Sequence, residues 1–346
     1  MREAVLYVTL GLTACFGPVP PSGAPCAPNR DCPDPLVCSP RTLTCEPGPK
    51  PVEDAPGDAV ASDAPGGRDC WPLWRAGTVT LTAPTVIADV SSTDYEHDPA
   101  FAAGDLELYV ARGSGDQSEI HRASRTSRLA PFVSLGRDAT LNASGHDGRV
   151  AAAVGHELVV LSSTRPGGAG GEDLYQADRA SVMLPFGPPS RSSLLALDQT
   201  DQQLDPELIG DGRRLYYSMI TLALAPQRIW TASRTSVTEA FGGPTEVLIV
   251  GAPAVRADPA VSPDELVMAY TTISTTARGN QTDLRIARRS SSASSFEDIG
   301  PLPFNTLANE GDADFSADGC ELVFASDRPS GPGSRDIWLT TVVEMP

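Results

Sequence analysis

STRPGGAGGEDLY, from Ser163 to Tyr175, and SDRPSGPGSRDIW, from Ser326 to Trp338, are two versions of one motif placed 163 residues apart. Aligned without gaps they share Ser163/Ser326, Arg165/Arg328, Pro166/Pro329, Gly168/Gly331, Gly170/Gly333 and Asp173/Asp336, followed by an aliphatic and an aromatic residue. Self-similarity at a long offset marks a repeat architecture, in which each unit stacks on its neighbours to bury a face it cannot bury alone.

Working outward from the motif, a second element recurs upstream: an Asp, a short apolar strand, a turn with Asp or Gly, then a longer apolar strand. It is anchored at Asp98, Asp147, Asp205, Asp258 and Asp312, at intervals of 49, 58, 53 and 54 residues. A third short strand follows in each unit, as in EIHRASR from Glu119 or RIWTASR from Arg228, most of them ending in basic residues. Runs of four to seven β-branched, aromatic and aliphatic residues bounded by Gly, Pro, Asp and Ser read as strands. The expected fold is therefore all-β, a β-propeller of five blades, with six as the alternative. The segment TVTLTAPTVIADV, Thr78 to Val90, is expected to supply the missing outer strand of the last blade and close the ring, hiding two sheet edges.

The units resemble the WD40-like propeller repeats of the TolB type, in which a D-P-x-x-S-x-D-G turn precedes a strand ending near Ser-x-Arg and then a D-[IL]-[WY] strand. The last unit carries Asp312, Ser316, Asp318, Gly319, Ser326, Arg328, Asp336, Ile337 and Trp338 in that order. The resemblance spans about 70 to 346 and implies a fold; propellers host many activities, so it implies no particular one.

The amino-terminal part reads differently. Residues 1–14 have the short apolar core of an export signal, and Leu12-Thr13-Ala14-Cys15 resembles a bacterial lipobox, making Cys15 the expected lipid attachment site. Phe16 after it favours the outer membrane by the sorting rule that this resemblance implies. A tether, 15–25, leads to a small segment, 26–45, whose Cys26, Cys32, Cys38 and Cys45 read as two disulfides in any of three connectivities. A zinc site is the sharper alternative, but C-x2-C pairs are absent. Residues 46–69 hold five prolines, four aspartates and no aromatic residue, the composition of a solvated linker. The propeller, 70–346, holds Cys70 at the start of the closing strand and Cys320 in the blade being closed, and a Cys70–Cys320 bond is expected to clamp the ring.

A net charge of −18 excludes nucleic acid and direct contact with anionic lipid head groups as partners. No G-x-S-x-G elbow, H-E-x-x-H or phosphate-binding glycine loop is present. Asp312-Ala-Asp314 with Asp318-Gly319 departs from the calcium-loop pattern, so the recurrent aspartates read as turn-forming groups, and no metal or cofactor is expected. His97 and His146, one residue before their anchors, are expected to meet at the channel rim; bonds to adjacent turns are preferred there over a metal site, which wants three or four ligands. Arg165 is expected to pair with Asp173, and Arg328 with Asp336, across each hairpin. The resulting expectation is a monomeric, non-enzymatic envelope lipoprotein held to the membrane only by its lipid and presenting loops to an envelope protein or cell-wall component. The alternative is a carbohydrate-binding or lyase-like propeller that uses the channel mouth. A scaffold would show an apolar or small-residue channel and an exposed patch, a lyase a clustered His, Arg and metal site in the channel.

Overall fold

The structure is a computed structural model. It describes residues 68–343 except 114–116, 154, 183, 198–200, 221–225 and 277–278, together with two short strands nearer the amino terminus. Those strands, Leu36–Cys38 and Cys45–Pro47, pair antiparallel with Cys38 opposite Cys45. Cys15, Cys26 and Cys32, the expected signal and tether, and nearly all of the expected linker lie outside the described residues.

Five sheets, antiparallel except for one edge pairing in the fourth, follow in chain order as the blades. Blade 1 contains Glu96–Ala102, Glu107–Arg112, Glu119–Ser124 and Val133–Arg137. Blade 2 contains Asp147–Ala152, Leu158–Ser163 and Asp173–Asp178. In place of a fourth strand, it has a single bridge between Gln176 and Ser190. Pro185, Pro188 and Pro189 leave that segment short of N–H donors for a ladder. Blade 3 contains Gln202–Ile209, Arg214–Ile220, Arg228–Ser233 and Thr245–Glu246. Blade 4 contains Ala257–Val261, Val267–Thr276, Gly279–Arg288 and Phe296–Pro301, with Ile249–Val250 added in parallel at its edge. Blade 5 contains Glu310–Phe315, Glu321–Ser326, Asp336–Thr341 and, from before blade 1, Thr85–Val86. The all-β, five-bladed reading thus holds.

Adjacent side chains on a strand point to opposite faces, so the second strand of each blade feeds two blade interfaces at once. Leu108 and Val110 pack with Val323 and Ala325 of blade 5, while Tyr109 between them packs with Val159 and Leu161 of blade 2. That is why these strands read as unbroken apolar runs rather than alternating ones. Each fully buried aliphatic side chain contributes about 1.5–3 kcal/mol. A cation closes the outer end of each of four blades: Arg125, Arg179, Arg234 and Arg289 lie 4.5, 4.4, 4.3 and 4.3 Å above the rings of Phe132, Phe186, Phe241 and Phe296. Each also donates from Nε to a turn carbonyl, those of Asp105, His156, Gly212 and Glu265. These are the basic residues that end the third strands in the sequence.

Closure departs from expectation in detail. The closing strand is two residues long, Val86 facing Trp338 and Thr85 facing Leu339, with a bridge from Leu81 to Val342. Pro84, which has no N–H to donate, precedes it. Cys70 bonds to Cys320 across 250 residues but opens no strand. It caps a helix, Trp71–Ala76, whose first turn accommodates Pro72 and whose end turns through Gly77 at φ 74°. Trp71 and Trp74 set their rings edge-on to Phe315 at 5.0 and 5.1 Å, and their indole N–H groups donate to the carbonyls of Ala317 and Gly319. A helix presents both indoles on one face, which two successive strand residues would not do.

Candidate functional site

The duplicated motif builds blades. Arg165 donates to Asp147, to Ser163 Oγ and to the Leu141 carbonyl. Arg328, 163 residues on, donates to Glu310, to Ser326 Oγ and to the Phe304 carbonyl. The expected pairing within each hairpin is therefore corrected. The strand register carries each arginine back towards the innermost strand, where Asp147 and Glu310 are fully buried and need a counter-charge. Asp173 instead pairs with Arg191, and both Asp173 and Asp336 accept the amide of the third residue before them, Gly170 and Gly333. A side chain at Gly168 or Gly331 would collide with the carboxylate of Asp173 or Asp336, which explains two of the motif's glycines.

The register also corrects one anchor. Glu96 faces Arg112, Asp147 faces Ser163, Gln203 faces Met219 and Glu310 faces Ser326, so these four share one position. Two residues further on stand Asp98, Arg149, Asp205 and Asp312, with Asp258 in blade 4 after Ala257, which faces Thr271. Asp147 is thus out of step with the other anchors, and Arg149 is their counterpart. In every blade the ladder shifts here by a bulge. The four aspartates adopt left-handed φ values of 50, 50, 50 and 54°. Asp tolerates that conformation better than most residues, and strained backbone of this kind collects at functional sites.

These bulges bring the aspartates together instead of satisfying separate turns, as the sequence led one to expect. Asp258 lies close enough to Asp205 to raise its pKa, and the amide of Asp98 approaches Asp312 Oδ2 at 3.5 Å. One mouth of the channel is a cavity of about 360 Å³ whose lining includes Tyr95, His97, Asp98, His146, Asp312 and Arg335. His97 Nδ1 contacts Asp98 Oδ2 at 2.9 Å and its Nε2 contacts Ser118 Oγ at 3.1 Å. The His97 and His146 rings stack at 5.9 Å, and His146 Nε2 lies 3.2 Å from Glu172. Arg335 donates to both Tyr95 Oη and Asp312 at 2.9 Å.

Burial disfavours charge on Asp98, but His97, Arg149 and His146 outweigh it and hold its pKa down at about 2. At Asp312 burial prevails; Arg335 opposes it, Asp258 and Asp98 reinforce it, and the pKa is pushed up to about 7. Asp205 is raised well above the carboxylate range by burial, Asp258 and Asp98. Burial lowers His97, yet Asp98 and Asp312 more than compensate and its pKa lies above the usual imidazole value. One ligand atom each from His97, Asp98 and Asp312 lie within 4.8 Å of one another, so this trio is where a metal ion could be held.

The other mouth, about 190 Å³, is walled by Trp71, Phe101, Ile209, Val261 and Phe315, with Glu207 and Asp314 among them. Asp314 accepts the Phe101 amide at 2.7 Å and Glu207 the Val261 amide at 3.5 Å, each reaching into the next blade. Burial, reinforced by Asp314 and opposed by Arg149, raises Glu207 to about 8; burial, opposed by Arg149, leaves Asp314 at about 6.

No protein-family model matches the chain, and no curated protein matches its sequence. Solved structures do match its fold. A thermostable family-43 glycoside hydrolase is similar at 13% identity over 76% of this chain and 94% of that one, with a TM-score of 0.53. A family-43 β-xylosidase/α-arabinofuranosidase from a compost microbial metagenome, in complex with xylotriose, is similar at 12% identity over 78% and 96%, with a TM-score of 0.54. A family-43 enzyme from Xanthomonas citri gives 16% identity over 77% and 92%, with a TM-score of 0.52. TolB from Acinetobacter baumannii, at 11% identity and a TM-score of 0.42, is a more distant neighbour. At these identities the likeness shows a five-bladed propeller. The expectation of a non-enzymatic scaffold is overturned at the channel mouth, which holds a cluster of ionisable groups where a scaffold would be apolar; solved propellers of the same fold include family-43 glycoside hydrolases.

Proposed function

We propose that this chain is a carbohydrate-active protein that binds a glycan at the polar mouth and cleaves it by acid–base chemistry. One observation carries the reading: at a single open mouth, two neighbouring carboxyls, Asp98 against His97 and Asp312 against Arg335, have pKa values driven apart to about 2 and about 7, so that between these values they are held in opposite protonation states. Carboxyl groups driven apart in this way supply the proton donor and the ionised partner of glycoside hydrolysis. Asp312, protonated, gives its proton to the leaving glycosidic oxygen; Asp98, ionised and with an oxygen within 4.8 Å of one on Asp312, bonds to the anomeric carbon as that oxygen leaves, and water then releases the sugar from Asp98 while returning a proton to Asp312. Arg335 orients Asp312, and His97 orients Asp98. The fold likeness supplies the glycans to test first, since the neighbours' own names refer to xylosidase and arabinofuranosidase activity.

On the sequence, we place this activity in the cell envelope, with the lipobox-like Leu12-Thr13-Ala14-Cys15 supporting a lipid anchor at Cys15 and the outer membrane as its site. Mass spectrometry of the mature protein is the check, an unacylated Cys15 removing the anchor. For the activity, the test is release of reducing sugar from xylan, arabinan, arabinoxylan and their aryl glycosides across pH 4–9. The expected result is turnover that declines as pH rises through about 7, where Asp312 loses its proton. Neither turnover nor binding on any of these glycans would remove the reading.

A further inference from the structure

We propose that a cavity formed jointly by blades 1 and 2, away from the channel, binds a carboxylate carried on an aliphatic group, with the guanidinium of Arg179 as its anchor. The cavity shares no lining residue with either channel mouth, and the proposal does not depend on the carbohydrate-active reading.

Arg179 is one of the four arginines that end third strands, each followed by its phenylalanine in the spacing R-x6-F. In the other three, the terminal nitrogens of the guanidinium are taken up twice, by a carbonyl of the arginine's own loop and by a side-chain oxygen. Arg125 donates to the Arg128 carbonyl at 3.1 Å and to both oxygens of Glu321 at 2.9 and 2.5 Å. Arg234 donates to the Glu239 carbonyl at 3.4 Å and to Gln176 Oε1 at 3.0 Å. Arg289 donates to the Ser294 carbonyl at 3.4 Å, and to Glu265 and Tyr216 Oη at 3.1 Å each. Arg179 makes only the two contacts common to all four: its Nε donates to the His156 carbonyl at 2.6 Å and its guanidinium lies 4.4 Å above the Phe186 ring. Its two terminal nitrogens have no acceptor among the described residues. The reason is visible one blade back. Glu107, which opens the second strand of blade 1 as Glu321 opens that of blade 5, is bound instead by Arg122 at 3.0 Å.

The uncommitted fork of Arg179 lines a cavity of about 330 Å³, together with Arg122, Asp138, Thr140, Val182 and Leu184. Asp138 is the carboxylate in this wall. Its Oδ1 accepts the amides of Thr140 and Leu141, and its Oδ2 lies 3.8 Å from Arg122, so Arg122 answers both Glu107 and Asp138. Arg179 has no carboxylate within ion-pair distance among the described residues. A guanidinium fixed at Nε and across its face, with both terminal N–H groups unbound, is arranged to take a carboxylate end-on through two parallel bonds. Val182 and Leu184 on the same wall are 47% and 52% exposed, which sets an aliphatic surface beside the charge. A ligand with one carboxylate and a short aliphatic body satisfies both, each methylene buried strengthening binding about fourfold. A free aliphatic acid and the carboxyl-terminal residue of a protein chain present this same chemistry.

The test is calorimetric titration of the full-length protein at pH 7 with hexanoate, acetate, hexanamide and N-acetyl-alanyl-leucine bearing a free carboxylate. Hexanoate is expected to bind one site with a Kd of about 1 mM. Acetate, which lacks the aliphatic body, and hexanamide, which lacks the charge, are expected to bind at least about tenfold more weakly. Arg179→Gln weakens hexanoate at least about tenfold. Since that change also removes the stack on Phe186, Leu184→Asp, at an exposed position, is the second variant; it sets a like charge beside the carboxylate and produces a comparable loss. Arg213→Gln, an exposed arginine that does not line the cavity, leaves binding unchanged. A dipeptide that binds more tightly than hexanoate makes a protein terminus the source of the carboxylate, and the reverse order makes it a free acid. Absence of hexanoate binding, equal affinity for acetate or hexanamide, or undiminished binding in a folded Arg179→Gln or Leu184→Asp variant overturns the proposal.

Discussion

The two mouths of the channel hold the same kind of group under the same stress, yet they are finished differently. Glu207 and Asp314 at one end and Asp98 and Asp312 at the other are all buried acids displaced from their ordinary pKa values. At the Trp71 and Phe101 end the acids accept backbone amides of the neighbouring blade and share Arg149, among aromatic and aliphatic walls. They staple one blade to the next. At the Tyr95 and His97 end the acids meet two titratable histidines, with Arg335 as a fixed charge, in a wider cavity. Burial of a carboxyl does not by itself make a site. What separates the two ends is whether its partners are fixed amides or groups that can exchange a proton.

The largest effect expected from this contrast is on stability at the apolar mouth. Trp71→Ala removes a buried ring that packs on Phe315 and should cost about 3–5 kcal/mol, seen as a fall in Tm of roughly 10 °C. Turnover per folded molecule should stay within about threefold, since distant sites act independently. Loss of turnover as large as that expected from changes at the polar mouth would erase the distinction between the two ends.

A smaller effect is shared by both mouths. Asp312, Glu207 and Asp314 are raised to about 7, 8 and 6, and Asp205 lies well above its usual range. Folded pKa values above the unfolded ones mean stability that is complete below pH 4 and is lost as pH rises through the folded values. Asp98 has the opposite sign, its contribution being lost as pH falls towards 2. Thermal melts should therefore show Tm falling by about 5 °C or more between pH 5 and pH 9, with Glu207→Gln removing the part of the slope near pH 8. A flat or rising profile would contradict the ionisation states assigned to both ends.

The repeat was legible because blade-building residues recur: Ser163 with Ser326, Arg165 with Arg328 and the arginines that end the third strands are local in register even where their partners are not. Ring closure and the Cys70–Cys320 bond followed from the same count of strands. What stayed hidden depends on convergence. Asp98 and Asp312 are more than two hundred residues apart in the chain and meet only because two bulges turn the backbone to positive φ. The Asp147 anchor misled because its blade puts an aspartate two residues before the bulge and Arg149 in it, a displacement that the Asp-rich pattern conceals. The Arg165–Asp173 pairing failed for a related reason: opposite charges near each other in sequence were joined, while the strand pairing had already carried the arginine to Asp147. The scaffold reading fell with these, since without the convergence the aspartates are turn residues and nothing else.

Asp98→Asn and Glu207→Gln compared side by side on the best glycan found, at pH 6, test most directly that function resides at the polar mouth. The account expects Asp98→Asn to lower kcat by about a hundredfold to ten-thousandfold, and Glu207→Gln to leave it within about threefold. Equal losses in the two variants, or a greater loss in Glu207→Gln, would contradict it.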